Sequence, residues 1–261
     1  MKTERLVLGL ALVAAGVFGS ATAHLSVASG PGSSRDASRI AQGTGHTAHH
    51  GLGAASGAGQ SQNEVQSKCA DGAYVRNGHK WTTQYNWYFQ SASRPKGSLT
   101  SRVVDALRRA ADNIVRGDNA CGLPDFISAT DAYRGTTSRA PNISSSAWCK
   151  GRDGRNVVGF GTLPSAYLGM SCWWTYGGKV VEADFILNKA HYAWFINRPS
   201  GCRGKWSIEA AATHEFGHVF GLGHVSESSH PGLTMSPMIM ACQSGETNLG
   251  LGDVLGLRSM Y

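Results

Sequence analysis

The sequence is poor in charged residues and lacks an apolar run of membrane-spanning length. Charged residues make up 16% of the 261 residues, against about a quarter in average globular proteins, which excludes a charge-rich coiled coil. The longest apolar run, residues 6–18, has thirteen residues, whereas a membrane helix needs about 20. The arginines form no dense cluster, which argues against nucleic-acid binding. We therefore expect neither a nucleic-acid partner nor stable membrane insertion.

Residues 1–23 have the features of a secretory signal peptide. Lys2 and Arg5 precede the apolar run, and Ala21-Thr22-Ala23 follows it with the small-x-small pattern of a cleavage site. The sequence therefore predicts cleavage after Ala23 and a secreted, extracellular protein.

Aromatic residues are absent between Phe18 and Tyr74, where Gly, Ser, Ala, Gln and His predominate. A segment of this composition buries too little apolar surface to offset the entropy lost on ordering. We interpret residues 24–66 as a disordered linker or a short pro-segment. Residues 67–261 then form the folded domain.

Strand and helix patterns are mixed in this domain. Residues 81–89, 156–160 and 180–187 are rich in aromatic or β-branched residues and predict strands, and 167–174 is expected to be extended. Helical spacing over 99–116 ends at Gly117, Ser207 can cap a helix that reaches about Phe220, and 253–261 predicts a short final helix. We expect a mixed α/β (α+β) domain and, by default, a monomer.

The six cysteines indicate disulfides, because an even number of thiols in an exported protein is usually oxidised. The sequence does not determine their connectivity. We suggest Cys69–Cys121, Cys149–Cys172 and Cys202–Cys242, the last of which would brace both sides of the site described next.

The segment His214-Glu215-Phe216-Gly217-His218 lies in the second predicted helix. The two histidines are four positions apart and project from one helix face. Imidazoles at this spacing can share one Zn²⁺ at about 2.0–2.1 Å. Glu215 cannot easily join the same ligand face, but its carboxylate can act as a general base on a water activated by the metal.

A third ligand follows in the sequence. Catalytic zinc sites usually have three protein ligands and an open position. Gly221 can adopt a positive φ and end the helix, so that the chain turns His224 back toward the metal. An HExxH pattern can arise by chance, but the glycine bend and the third histidine argue against chance. We expect His214, His218 and His224 to bind one Zn²⁺.

The string HEFGHVFGLGH, followed by Met235-Ser236-Pro237-Met238, resembles the metzincin zinc peptidases and their matrixin branch. The resemblance covers about 67–261. It implies a small twisted mixed sheet with an active-site helix and a C-terminal helix. It also implies a Met-turn with Met235 beneath the zinc, for which Met238 and Met240 are competing candidates.

The resemblance further implies where a substrate binds. Residues 163–172 resemble the edge strand on which an extended substrate would pair through main-chain hydrogen bonds. The segment after the Met-turn would form part of the pocket beyond the cleaved bond. The expected substrate contacts are Leu168, Gly169, Met170, Pro237, Met238 and Ile239.

The sequence also departs from this family. Cys121-Gly122-Leu123-Pro124-Asp125 resembles part of a matrixin latency motif, but it follows the first predicted helix of the domain. A Cys121 thiolate could ligate zinc in an inactive form, although the even cysteine count favours a disulfide. Asp153, Gly154 and Asn156 weakly suggest a Ca²⁺ loop, for which a plain surface turn is the alternative.

These features predict a secreted zinc endopeptidase that hydrolyses peptide bonds in proteins, with Glu215 as the general base. Two alternatives remain open: a zinc-stabilised binding or adhesion module without turnover, and a zinc amidase that acts on cell-wall peptides. The presence of Glu215 argues against a pure binding module. The sequence indicates neither the physiological substrate nor the cleavage preference.

Overall fold

A computed structural model describes residues 41–49, 62–243 and 247–261 of the chain. These residues belong to one compact unit, Ala37–Tyr261. The predicted signal peptide, residues 1–23, lies outside the described residues. Within the described ranges, no helix is both long enough and apolar enough to span a bilayer.

The described chain has eleven strands and four α-helices, with six consecutive strands between the second and the third helix. In order they are β1 (Ala41–His49), α1 (Gln62–Ala70), β2 (Val75–Arg76), β3 (Tyr85–Gln90), α2 (Thr100–Arg116), β4 (Asp131–Thr137), β5 (Asn156–Gly161), β6 (Tyr167–Tyr176), β7 (Lys179–Asn188), β8 (Ala193–Phe195), β9 (Lys205–Ser207), α3 (Ile208–Val219), β10 (Leu222–Gly223), β11 (Met238–Ile239) and α4 (Leu251–Arg258).

The main sheet has the strand order β11-β1-β6-β7-β5-β3-β4. Strands β4, β3, β5 and β7 run parallel to one another, whereas β6 is antiparallel to β7. Strand β1 is antiparallel to β6 and parallel to β11. The pairs β2–β10 and β8–β9 form two small additional sheets. The predicted fold class, a mixed sheet with helices, is confirmed.

The helix ends follow the sequence signals. Helix α2 ends at Gly117, which has a φ of 71° in the left-handed region that glycine tolerates. Helix α3 begins after Ser207, whose Oγ accepts a hydrogen bond from the Ala210 N–H at 3.2 Å. The strand expected over 81–89 is shorter and begins at Tyr85.

Phe216 anchors α3 to the sheet. It lies on the same helix as the zinc motif, and its ring centroid is 4.8 Å from that of Phe185 on β7 and 5.6 Å from that of Trp87 on β3. All three side chains are fully buried. The position of α3 is therefore fixed by aromatic packing in the protein core.

Two parts of the segment 24–66 are regular, so the disordered-linker prediction is wrong for them. Residues 41–49 form β1, and the first residues of α1 extend the folded domain back to Gln62. The composition argument misses β1 because a strand added to a sheet edge is held by backbone hydrogen bonds and does not need apolar side chains. The alternative, that residues 24–66 are a pro-segment, remains a prediction.

The structure contains the three disulfides suggested in the sequence analysis. They are Cys69–Cys121, Cys149–Cys172 and Cys202–Cys242. The first joins α1 to the segment after α2, and the second joins a loop to β6. The third joins the segment before β9 to the segment after β11, where the Cys242 N–H also donates to the Lys205 carbonyl at 2.7 Å.

We expect the double substitution Cys202→Ala and Cys242→Ala to lower the free energy of unfolding by about 2–4 kcal/mol. The bridge closes a loop with a sequence separation of 40, and its loss restores entropy to the unfolded chain. Urea unfolding monitored by tryptophan fluorescence would measure the change. An unchanged midpoint at an unchanged slope would contradict this expectation.

Candidate metal centre

Three imidazoles converge at the end of α3. His214 and His218 lie on one face of the helix, and the turn after it brings His224 to the same point. The Nε2 atom of His224 is 3.0 Å from the Nε2 atoms of both other rings. His214 and His218 are buried, and His224 is partly exposed. The structure thus brings together all three residues that the sequence predicted as metal ligands.

Backbone carbonyls fix the protonation of the two helical rings. The Nδ1 atom of His214 lies 2.7 Å from the Thr234 carbonyl oxygen, and that of His218 lies 2.9 Å from the Leu222 carbonyl oxygen. A carbonyl can only accept, so each Nδ1 carries the hydrogen and donates. In the neutral form of each ring, Nε2 is then the unprotonated nitrogen, and this is the atom that lies 3.0 Å from the His224 Nε2.

This arrangement fits a zinc ion. Nitrogens bound to one tetrahedral zinc at about 2.0–2.1 Å lie about 3.3 Å apart, close to the 3.0 Å observed for two of the pairs. With Nδ1 of His214 and of His218 donating to backbone carbonyls, the Nε2 atoms of these rings are the nitrogens that a metal would use. The chemistry of the three side chains therefore fits the metal predicted from the sequence.

Glu215 is fully buried beneath β6. Its carboxylate accepts a hydrogen bond from the Ser171 hydroxyl, with 2.5 Å between Oγ and Oε2. Gly169 makes room for the same carboxylate, because a Cβ there would lie 2.5 Å from Oε1. Strand β6 therefore positions the carboxylate in two ways. The Ser171 hydroxyl donates a hydrogen bond to it, and the absence of a side chain at Gly169 leaves space for it.

Met235 packs against α3, and its predicted role as the floor beneath the zinc stays a prediction. Its side chain is buried, and its sulfur lies so close to Gly217 that a Cβ on that glycine would overlap it. Asp253 on α4 holds the turn, since it accepts from the N–H groups of Thr234 and Met235 at 2.9 and 3.1 Å. Burial raises the pKa of this carboxyl group.

The turn from His218 to His224 is fixed by the segment after β2. Gly221 has a φ of 99° and its carbonyl accepts from the Asn77 N–H at 2.8 Å. The Asn77 side-chain amide donates to the Leu222 carbonyl at 2.7 Å, the same oxygen that orients His218. The predicted glycine bend is therefore present and is held from outside the motif.

His79 and Trp173 form a second layer behind His218. The His79 Nε2 donates to the His218 carbonyl at 3.0 Å, and the ring centroid of His79 is 4.5 Å from that of Trp173. Burial lowers the pKa of His79 to about 4, so that the ring is neutral near pH 7. Its Nδ1 is buried and has no hydrogen-bond partner among the described residues, which agrees with the neutral form.

The residues expected to contact a substrate belong to β6 and to the segment 237–239 that includes β11, and these two strands flank β1 in the main sheet. Leu168, Gly169 and Met170 belong to β6, and Met238 and Ile239 form β11 directly after Pro237. The side chains of Leu168 and Met170 are fully buried. They can therefore offer a ligand their backbone groups but not their side chains.

Two other sequence-based suggestions are also located. The sulfur of Cys121 is bonded to Cys69, so this residue has no thiolate to offer a metal. Asp153 in the suggested Ca²⁺ loop pairs with Arg139, with 3.1 Å between Oδ2 and Nη1. The Asn156 Oδ1 accepts from the Ala183 N–H at 2.9 Å. Calcium binding stays a prediction.

Several residues of the site were not found by sequence reasoning. Each of these residues contacts a partner that is distant in sequence. Ser171 contacts Glu215, Thr234 contacts His214 and Asp253 contacts Met235, and the two residues of each pair are 18 to 44 positions apart. Of these three residues, only Asp253 could have been suspected from the sequence, because it lies in the stretch that resembles the C-terminal helix of the family. Ser171 and Thr234 look like ordinary polar residues in the sequence.

Comparison with known proteins agrees with this geometry. The sequence matches the family described as Matrixin over residues 79–261, which is more than half of the chain. The match includes every residue of the histidine cluster and the Met-turn. No curated protein is significantly similar to the chain. The chain therefore belongs to the matrixin family, whose members are zinc metallopeptidases.

Proposed function

We propose that this protein is a secreted endopeptidase that cleaves peptide bonds in proteins, with Glu215 as its general base. One observation supports the proposal above the others. A buried carboxylate, fixed by Ser171, directly follows the first of three histidines whose Nε2 atoms converge. A carboxylate beside three neutral nitrogen ligands suits hydrolysis and has no purpose in a purely structural metal site.

Zinc held by these imidazoles would supply a Lewis acid that polarises the peptide carbonyl and lowers the pKa of a water. Glu215 then accepts a proton from the attacking water and returns it to the nitrogen of the departing amine. Ser171 holds the carboxylate through its hydroxyl hydrogen bond during both transfers. The carbonyls of Thr234 and Leu222 hold two of the imidazoles in the ligating tautomer.

The substrate would bind in the groove between β6 and β11. The backbone of β6 pairs with β7 on one side and with β1 on the other, and an extended peptide would take the place of β1 along β6. Gly169 and Ser171 of β6 contact Glu215. Pro237, Met238 and Ile239 line the opposite side. We infer that the substrate is recognised mainly through its backbone here, because Leu168 and Met170 direct their side chains into the core.

A chelator assay on the secreted protein tests the proposal. We expect the zinc-loaded protein to cut casein and an internally quenched peptide, a phenanthroline chelator to stop cleavage, and added Zn²⁺ to restore it. Bound zinc without cleavage of any peptide would support the binding-module alternative. Cleavage of cell-wall peptides but not of casein would support the amidase alternative.

We expect Ser171→Ala to lower kcat by about tenfold to hundredfold, with KM and zinc content unchanged. The variant removes the hydroxyl that fixes the Glu215 carboxylate, and small displacements of a reacting group have effects of this size. Steady-state kinetics on the quenched peptide would measure it. Ser138→Ala, at an exposed position, is the control. A wild-type kcat in Ser171→Ala would remove Ser171 from this role.

Secretion is supported by the predicted signal peptide and is compatible with the three disulfides. We expect N-terminal sequencing of protein recovered from the medium to begin near His24. An intact Met1 on the exported protein would contradict the proposed cleavage.

A further inference from the structure

Lys68 is a buried cation that the proposed mechanism does not use. It lies in the last turn of α1, and its exposed fraction is 1%. Its Nζ donates a hydrogen bond to the Asn248 carbonyl at 2.6 Å. A lysine is almost never buried to this extent unless a partner compensates its charge. The residue precedes 79–261, so the match to the matrixin family assigns it no role.

The charge of Lys68 acts on a buried carboxylate, that of Asp253 on α4. Burial raises the pKa of this carboxyl group, whereas hydrogen bonds from the N–H groups of Gly250, Thr234 and Met235 and the charge of Lys68 lower it. Lys68 therefore favours the ionised form. An ionised carboxylate accepts hydrogen bonds roughly twice as strongly as a neutral acceptor, so the cation strengthens the hold of Asp253 on its backbone donors.

These backbone donors connect Lys68 to a metal ligand. Asp253 accepts from the N–H groups of Thr234 and Met235 at 2.9 and 3.1 Å. The Thr234 carbonyl in turn accepts from the His214 Nδ1 at 2.7 Å. A series of polar contacts thus leads from the ammonium group through Asp253 and Thr234 to the imidazole. All four residues of this series are buried, where hydrogen-bonded groups polarise one another more strongly than in water.

Backbone contacts fix α1 in this position. A Cβ built on Gly250 would lie 3.0 Å from the Lys68 carbonyl oxygen, and one on Gly232 would lie 3.5 Å from the Lys68 Cβ. The next residue, Cys69, is bonded to Cys121. The main chain that carries the ammonium group is therefore fixed by packing and by a disulfide, and the site of the charge is defined.

We propose that Lys68 is a positioning residue for the candidate metal centre. Through Asp253 and Thr234, its charge holds the His214 imidazole in the orientation that places Nε2 3.0 Å from the His224 Nε2. The effect on turnover rests on the proposed peptidase function, whereas the effect on zinc binding does not. A helix outside the family match would then contribute directly to the affinity of the site.

The first test is Lys68→Met, which keeps much of the side-chain volume and removes the charge. We expect zinc affinity to fall about tenfold, the lower value for residues behind metal ligands, because Asp253 then holds the turn less tightly. With zinc in excess, kcat on the quenched peptide should fall by a similar factor while KM is unchanged. Competition with a chromophoric chelator and steady-state kinetics would measure the two effects.

The matched control is Lys96→Met, at an exposed lysine, which should keep the wild-type zinc affinity and kcat. Wild-type zinc affinity in Lys68→Met would overturn the proposal, because Lys68 would then stabilise the fold alone. A higher KM at an unchanged kcat would also overturn it, because that pattern indicates a loss of substrate binding.

A double-mutant cycle tests whether Lys68 acts through Asp253. Asp253→Asn should weaken zinc binding by itself, and Lys68→Met added to it should cause no further loss, because the carboxylate on which the cation acts is gone. Two losses that add independently would overturn the proposed path. The double variant removes both charges of the pair, so its comparison with Asp253→Asn decides the question even if Lys68→Met alone does not fold.

The two proposals can fail separately. If the protein cleaves no peptide but Lys68→Met weakens zinc binding, the peptidase function fails while the positioning role of Lys68 is retained. If the protein cleaves peptides and Lys68→Met keeps the wild-type zinc affinity and kcat, the positioning role fails alone.

Discussion

Replacement of Glu215 by alanine is expected to lower kcat by about 10²–10⁴-fold, the range for loss of a general acid–base group. The three histidines should retain zinc, because Glu215 is not one of the converging ligands. Cleavage of the quenched peptide and the zinc-to-protein ratio, measured on the same sample, would show whether chemistry is lost while the metal stays. A wild-type kcat would remove Glu215 from the mechanism.

Two further variants separate chemistry from folding. Glu215→Gln preserves the volume of the buried side chain and should be as inactive as the alanine variant. Glu209→Ala changes a residue of the same helix whose carboxylate pairs with Arg109 at 2.6 Å and is not one of the converging ligands. It should keep the wild-type kcat. Equal losses at both glutamates would indicate damage to α3 and would not support a specific role for Glu215.

Replacement of His224 by alanine is expected to weaken zinc binding by more than about 100-fold, the upper value found when residues behind metal ligands are changed. His224 is the informative ligand to remove because it is partly exposed, whereas His214 and His218 are buried in the helix. Its loss leaves two nitrogens for the ion and should disturb the core little. Competition with a chromophoric chelator would measure the affinity.

The control for this experiment is His191→Ala, at an exposed histidine after β7. This variant should bind one zinc with unchanged affinity and should cleave at the wild-type rate. If the His224→Ala protein kept its zinc through the competition, His224 would not be a zinc ligand, and the prediction would be contradicted.

The parts of this protein that sequence predicts well are those encoded by local spacing. The histidines of α3, the bend at Gly221 and the cap at Ser207 depend on residues a few positions apart, and helix geometry alone relates them. Met235 also lies close in sequence to the motif that it supports. For these residues the spacing along the chain determines the contact in the structure directly.

The parts that sequence does not predict depend on contacts between distant segments. Nothing in the sequence near Ser171 indicates that its hydroxyl lies 2.5 Å from a carboxylate 44 positions away. Strand β1 escaped notice for a different reason. Its sequence, AQGTGHTAH, has no alternation of apolar residues, because an added strand is specified by backbone pairing and by the absence of side chains at its glycines.

The aromatic contacts of Phe216 have a consequence for mutational tolerance. Helix α3 carries two of the ligands and Glu215, and its Phe216 packs against Phe185 and Trp87 in the sheet. A conservative change among these rings would shift the helix by a fraction of an ångström, which a packed core tolerates with modest loss of stability but a reacting geometry does not. Selection for catalytic rate should therefore restrict these interior positions more tightly than selection for folding alone. A screen that ranks variants by thermal stability would not detect the variants that fold normally but have lost catalytic rate.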